Sequence, residues 1–143
     1  TDGTHTLTAE VTDSGGNTGS DSITITVGGG SAGGGMYVWD ISFKETGPHL
    51  KAIVTIQVDS DGDGAAQATD DPVSGATVDF TLTRESGQGQ TYAGTTDSSG
   101  VVEFQWKRAS SGTYTAEVTN VTHSSYTWDS MLDADNPDTY ALQ

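Results

Sequence analysis

Between Tyr37 and Trp128 the chain is a succession of short apolar and polar alternations, each soon broken by glycine, aspartate or serine. Leu50 to Val58 sets Ala52, Val54, Ile56 and Val58 on one face. Ala76 to Thr83 alternates Ala76, Val78, Phe80 and Leu82 against Thr77, Asp79, Thr81 and Thr83. A period of two is that of a half-buried strand, and no segment sustains the 3.6-residue spacing of an amphipathic helix. Tyr37 to Phe43, Tyr92 to Thr96, Val101 to Trp106, Thr113 to Thr119 and Tyr126 to Trp128 are the further strands expected. Asp97-Ser98-Ser99-Gly100 reads as a tight turn with glycine where φ turns positive. Seven short strands without a helix predict an antiparallel β-sandwich. With only 32% hydrophobic residues and 19 glycines, the core must be thin. Two packed sheets suit this, because each strand gives only alternate residues to the interior.

Gly3-Thr4-His5-Thr6-Leu7-Thr8-Ala9-Glu10-Val11-Thr12 and Gly112-Thr113-Tyr114-Thr115-Ala116-Glu117-Val118-Thr119 are near copies of one strand, the mark of an array of similar units. Thr4 to Thr12 and Ser22 to Val27 flank the turn sequence Asp13 to Gly19 and predict a hairpin with Leu7, Ala9, Val11, Ile23, Ile25 and Val27 on one face. Residues 28–35 are a glycine-rich linker. Residues 1–27 thus read as the closing hairpin of a preceding module, or as a donor hairpin, and 36–143 as the β-sandwich domain. Gly29-Gly30-Ser31-Ala32-Gly33 formally matches a serine-hydrolase elbow, but no strand-to-helix context surrounds it.

Tyr114, two residues after Gly112, resembles the tyrosine corner of immunoglobulin-like sandwiches, whose hydroxyl bonds to upstream backbone. His5 holds the same place in the first copy, and a structural role is expected of it. Met36-Tyr37-Val38-Trp39-Asp40, Ala52 to Val58, Pro72-Val73-Ser74-Gly75-Ala76-Thr77-Val78, Thr96 to Gly100 and Val118-Thr119-Asn120-Val121-Thr122-His123 occur in order. Together they resemble the immunoglobulin-like modules appended to secreted bacterial and archaeal hydrolases, notably subtilisin-like proteases. Residues 1–27 resemble the last two strands of another such repeat. The resemblance implies a non-catalytic spacer, adhesive unit or substrate-binding accessory, at the cell surface or outside the cell.

The sequence departs from that pattern at Asp59-Ser60-Asp61-Gly62-Asp63-Gly64, which runs on to Asp70-Asp71. Asp at loop positions 1, 3 and 5, Gly at 6 and an acid at 12 reproduce most of a calcium loop. Asp59, Asp61 and Asp63, the carbonyl of Ala65 and the carboxylate of Asp70 are the expected Ca2+ ligands. Asp70 is shorter than the usual glutamate and no helices flank the loop, so the competing reading is a solvated acidic connection. A second acidic group, Asp129, Asp133, Asp135, Asn136 and Asp138, fits no cage and is expected to be a charged tail.

Five Lys and Arg against 20 Asp and Glu give a formal charge of −15. Such a surface repels nucleic acid and anionic lipid heads, and no stretch has the apolar length of a membrane span. No cysteine is present for a disulfide or thiolate site. The opening residues lack the pattern of a signal peptide, so any targeting segment is expected outside this sequence.

Trp39, Trp106 and Trp128, with Tyr37, Tyr92 and Tyr126, are candidates for a sugar-stacking platform. Core packing is the stronger expectation for Trp39 and Trp106, which continue apolar faces. Lys107 and Arg108 read as neutralising neighbouring carboxylates. His49 and His123 have no metal-ligand spacing, and Asn120-Val121-Thr122 is a sequon whose competing reading is a strand-end turn. No nucleophile has a base beside it in sequence, so no reaction is expected. The leading expectation is a non-catalytic extracellular spacer or accessory module whose partners are neighbouring modules. Alternatives are a surface filament of identical subunits joined by strand addition through residues 1–27, and a polysaccharide-binding accessory.

Overall fold

The computed structural model describes residues 3–27 and 34–143, with side chains described from residues 6 to 24 and 34 to 143. The chain divides into two compact units, Thr1–Ser31 and Ala32–Gln143. In the first, β1 (Gly3–Thr12) and β2 (Thr18–Val27) form an antiparallel hairpin, with Gly3 opposite Val27 and Thr12 opposite Thr18. Asp13 closes its turn by accepting the amides of Gly15 and Asn17 at 2.8 and 2.9 Å. Leu7, Val11 and Ile23 are 58%, 70% and 61% exposed. The His5 side chain and the Gly29 to Gly33 motif lie outside the described residues.

The second unit is an all-β sandwich. Its strands are β3 (Met36–Thr46), β4 (His49–Val58), β5 (Asp71–Pro72), β6 (Thr77–Arg84), β7 (Gly89–Thr95), β8 (Val101–Trp106), β9 (Gly112–Thr122) and β10 (Asp138–Leu142). One sheet has the order β10-β9-β6-β7. In the other, β3 pairs one edge of β4, while β8 and the short β5 share its opposite edge. Every pairing between named strands is antiparallel.

The alternation seen in the sequence becomes the core. Ala52, Val54 and Ile56 of β4 face Val78, Phe80 and Leu82 of β6, all at most 1% exposed. Phe80 of one sheet stacks on Phe104 of the other at 4.6 Å, and Trp106 meets Tyr114 edge-on at 5.3 Å. Such pairs add about 0.5–1.5 kcal/mol each beyond the area they bury. Gly100 has φ 74°, as its turn requires, and a Cβ there would lie 2.5 Å from the Ile56 carbonyl oxygen. No other residue fits where the β7–β8 connection crosses over β4.

Tyr114 is fully buried, and its hydroxyl donates to the Ser110 carbonyl at 2.8 Å while accepting the Ser110 amide at 3.1 Å. Tyr114→Phe leaves both backbone groups unpaired. It is expected to cost about 1–2 kcal/mol, read as a lower urea midpoint at unchanged m-value.

Three expectations need correction. Tyr126 to Trp128 is not a strand: Thr127 and Trp128 form only isolated bridges, to Thr122 and Met36. Trp39 is half-buried and outside the core, because β3 bulges there. Val38 pairs with Ile56 and Asp40 with Thr55, so the inward parity jumps from Met36 and Val38 to Ile41, and Trp39 is the extra residue.

The acidic C-terminal segment, finally, is no tail. Asp133 Oδ1 accepts the Val38 amide at 2.7 Å and the Trp128 indole at 3.0 Å, and Asp135 accepts the Ile41 amide at 3.1 Å. Asn136 copies a strand partner for β9, accepting the Val118 amide at 2.9 Å and donating to its carbonyl at 3.1 Å. Residues 127–136 therefore lie along the bulged edge of β3 and cross to β9. Side chains supply the pairing that a bulged edge denies to another strand.

Candidate metal centre

The acidic loop leaves the end of β4 and returns as β5. Its base is tight: the Asp59 amide donates to the Gly35 carbonyl at 3.1 Å, and a Cβ on Gly34 would stand 1.6 Å from the Asp59 carbonyl oxygen. Asp59 is only 5% exposed. Its two carboxylate oxygens accept the amides of Gly62 and Gly64 at 2.8 and 2.9 Å, and both glycines have positive φ, 72° and 76°. Asp61 and Asp63 repeat the device on a smaller scale, each accepting the amide two residues on, at 3.2 and 2.8 Å. Carboxylates favour such turns because they satisfy local amides that no sheet partner reaches.

Three of the expected ligands come together. Asp59, Asp61 and Asp63 each offer a carboxylate oxygen, all within 4.8 Å of one another, and this group could hold a metal ion. Hard oxygen donors from an Asp-rich loop suit a hard divalent cation. The charge is already felt at Asp61. The Asp63 amide pulls its carboxyl down, but desolvation and the Asp63 and Asp59 carboxylates prevail and hold it above the ordinary value.

Asp70 stands apart from that group of three. It is 6% exposed, and its Oδ2 accepts the Tyr37 hydroxyl at 2.6 Å and the Gln67 amide at 3.1 Å. The Ser60 amide and hydroxyl approach Oδ1 at 3.4 Å. Burial pushes the Asp70 carboxyl up, but the Tyr37, Gln67 and Ser60 hydrogen bonds outweigh it and leave the group below its ordinary value. Tyr37, fully buried, is pushed up by burial first and by its bond to Asp70 second. Ala65 gives its amide to Asp63; its carbonyl takes part in none of the hydrogen bonds among the described residues. Gln67 Nε2 reaches Asp63 Oδ2 at 2.5 Å, so a cation would compete with an amide there. Sequence reasoning missed Tyr37 and Gln67 because their contacts span 33 and 4 residues and no motif records them.

The other candidates are dispersed. Trp106 and Tyr37 are buried, while Tyr92, Tyr126 and Trp128 are partly buried against the core, so the aromatics do not share one open face. His49 Nδ1 accepts the Arg108 amide at 3.1 Å, and His123 accepts the Ser125 amide while its other nitrogen lies 3.2 Å from the Ser74 carbonyl. Asn120 is exposed within β9, its amide on Asp79 at 3.1 Å. Lys107 and Arg108 make no ion pair among the described residues, where Lys51 and Glu103 form the single one.

Comparison of the chain with family models, curated proteins and solved structures finds no match.

Proposed function

We propose that this chain is a non-catalytic, extracellular immunoglobulin-like module, a spacer or accessory of a larger secreted or surface protein, stabilised by calcium in its acidic loop. The observation that carries the reading is the convergence of Asp59, Asp61 and Asp63 on one point at the end of a rigid sandwich. Calcium would neutralise three carboxylates and cross-link the stretch from Asp59 to Asp63, whose carboxylates otherwise hold local amides and the Gln67 side chain. The Tyr114 hydroxyl bonded to upstream backbone supports the immunoglobulin-like assignment, and the net charge of −15 suits a calcium-containing exterior.

Millimolar calcium is expected to raise the melting temperature by several degrees and to shift the amide resonances of Asp59 to Asp63. Asp61→Asn with Asp63→Asn keeps the turn acceptors and removes two charges, and should abolish both effects. Unchanged resonances at millimolar calcium refute the metal site. Hydrolysis of protein or polysaccharide by the isolated chain, abolished by one substitution, refutes the non-catalytic reading.

One observation favours a second reading, assembly by strand addition. The hairpin shows Leu7, Val11 and Ile23 to solvent, and a lone hairpin is marginal without a further sheet. If it pairs with a neighbouring subunit, deleting residues 1–30 stops polymer formation and leaves 36–143 folded. Equal assembly by the shortened chain excludes it.

A further inference from the structure

At the end of the sandwich opposite the acidic loop, residues of both sheets line a cavity of about 500 Å3, among them Arg84, Gln88, Gln90, Trp106, Arg108 and Ser110. Trp106 pairs with Leu50 at the start of β4, whereas the loop leaves β4 after Val58. The two sites are therefore about 25 Å apart at strand rise. The volume is that of a small-ligand site.

Two of the five basic residues of this acidic chain meet at the cavity. Neither is within 4.0 Å of a carboxylate among the described residues, where Lys51 and Glu103 form the single ion pair. Arg84 is held by Nη2 on the Ser111 carbonyl, and its Nε is buried without an acceptor. Arg108 is the only non-glycine residue with positive φ among the described residues, at 55°. A turn of that shape forms more easily with glycine. An arginine held there, its amide fixed on His49, places a second guanidinium at the cavity in a conformation that side chains avoid. The Glu85 carboxylate lies beside Arg84 without pairing with it, since a Cβ on Gly112 would stand 2.9 Å from both Arg84 Nε and Glu85 Oε1; the planar guanidinium forks match a carboxylate.

The rest of the lining is neutral and hydrogen-bonding. Gln90 Oε1 accepts the Tyr92 hydroxyl at 2.6 Å, leaving the amide NH2 for a ligand. The Ser110 backbone is taken by Tyr114, which leaves its hydroxyl. Gln88 adds a second amide and Trp106 an aromatic wall. We propose that this cavity binds a hydroxylated carboxylate, the chemistry of a uronic acid, with Arg84 and Arg108 on the carboxylate and Gln88, Gln90 and Ser110 on the hydroxyls. The site involves none of the loop carboxylates, so the calcium reading and this one stand or fall separately.

Calorimetric titration of the full chain at low ionic strength with galacturonate, an oligogalacturonate, galactose and inorganic phosphate tests it. Galacturonate should bind at least about tenfold more tightly than galactose, and more tightly than phosphate. An oligomer that binds more tightly still places the sugar acid in a polymer; equal binding points to the free acid. Arg108→Gly should weaken galacturonate at least about tenfold while leaving the melting temperature unchanged or raised, because glycine relieves the positive φ. Arg84→Gln should weaken it too. Absence of galacturonate binding, preference for phosphate, or full binding by Arg108→Gly overturns the proposal. So does concentration-dependent self-association that Arg108→Gly removes without any sugar-acid binding, which would assign the guanidinium groups to carboxylates of a second copy.

Discussion

Asp133→Ala is expected to destabilise the sandwich by about 3 kcal/mol, a fall in melting temperature of roughly 10 °C for a domain of this size. The substitution leaves the amide of fully buried Val38, the Trp128 indole and the Asn136 side-chain amide without their common acceptor. Unpaired groups of this kind carry the desolvation penalty in full. Asp133→Asn separates the hydrogen bonds from the charge. Its oxygen still receives Val38 and Trp128, but its NH2 faces the NH2 of Asn136, so one bond of three is lost and the expected cost is about 1 kcal/mol. Urea unfolding of both variants, followed by tryptophan fluorescence, checks the order. If alanine costs no more than asparagine, residues 127–136 do not hold the bulged edge.

Tyr37→Phe is expected to cost about 2 kcal/mol at neutral pH, because it removes a hydrogen bond to a carboxylate and leaves the Gln67 amide one acceptor fewer. The cost should depend on pH with a definite sign. Asp70 titrates below its unfolded value of about 3.9 because burial is outweighed by the bonds from Tyr37, Gln67 and Ser60. Its contribution is complete above that unfolded value and disappears as pH falls through the folded one. The gap between wild type and Tyr37→Phe should therefore narrow in strong acid, to the part that the Gln67 and Gln57 contacts of the hydroxyl contribute. Asp61 runs the other way: its folded value is raised, since desolvation and the Asp63 and Asp59 carboxylates outweigh the pull of the Asp63 amide. The strain of its ionised form is present above that value and is relieved as pH drops. Calcium, which needs the ionised form, should bind less well through the same range. A stability difference between wild type and Tyr37→Phe that stays constant from pH 7 to pH 2 would remove Asp70 from this account.

The sandwich was legible because its signal is local. Alternation in Leu50 to Val58 and Ala76 to Thr83, with turn chemistry at Asp97 to Gly100, fixes which faces are apolar, and those faces are the core observed. The metal candidates were legible in part for the same reason, since Asp59, Asp61 and Asp63 bond amides two to five residues away. Asp70 was placed by spacing alone, and its partners show why spacing is incomplete. Tyr37 lies on the first strand of the sandwich, and nothing near Asp70 in sequence announces a buried phenol.

Trp39 makes the limit plain. Its neighbours in alternation, Ile41 and Phe43, point it inward on paper, yet Trp39 is itself the extra residue of the bulge, between Val38 paired with Ile56 and Asp40 paired with Thr55. That bulge is stabilised from Asp133 and Asp135, more than 90 residues downstream. Arg84 and Arg108 likewise share a cavity only because β6 and the turn after β8 end on the same side of the sandwich.

The sequence by itself determined the class of fold, the apolar faces, the turns and the position of the acidic loop, since period, glycine placement and turn-forming carboxylates act over a few residues. The tertiary structure decided which acids are ligand candidates and which are clamps, which aromatics are core, and which basic residues meet at one end. Those outcomes depend on which backbone amides the sheets leave unpaired. Only the closed sandwich determines that.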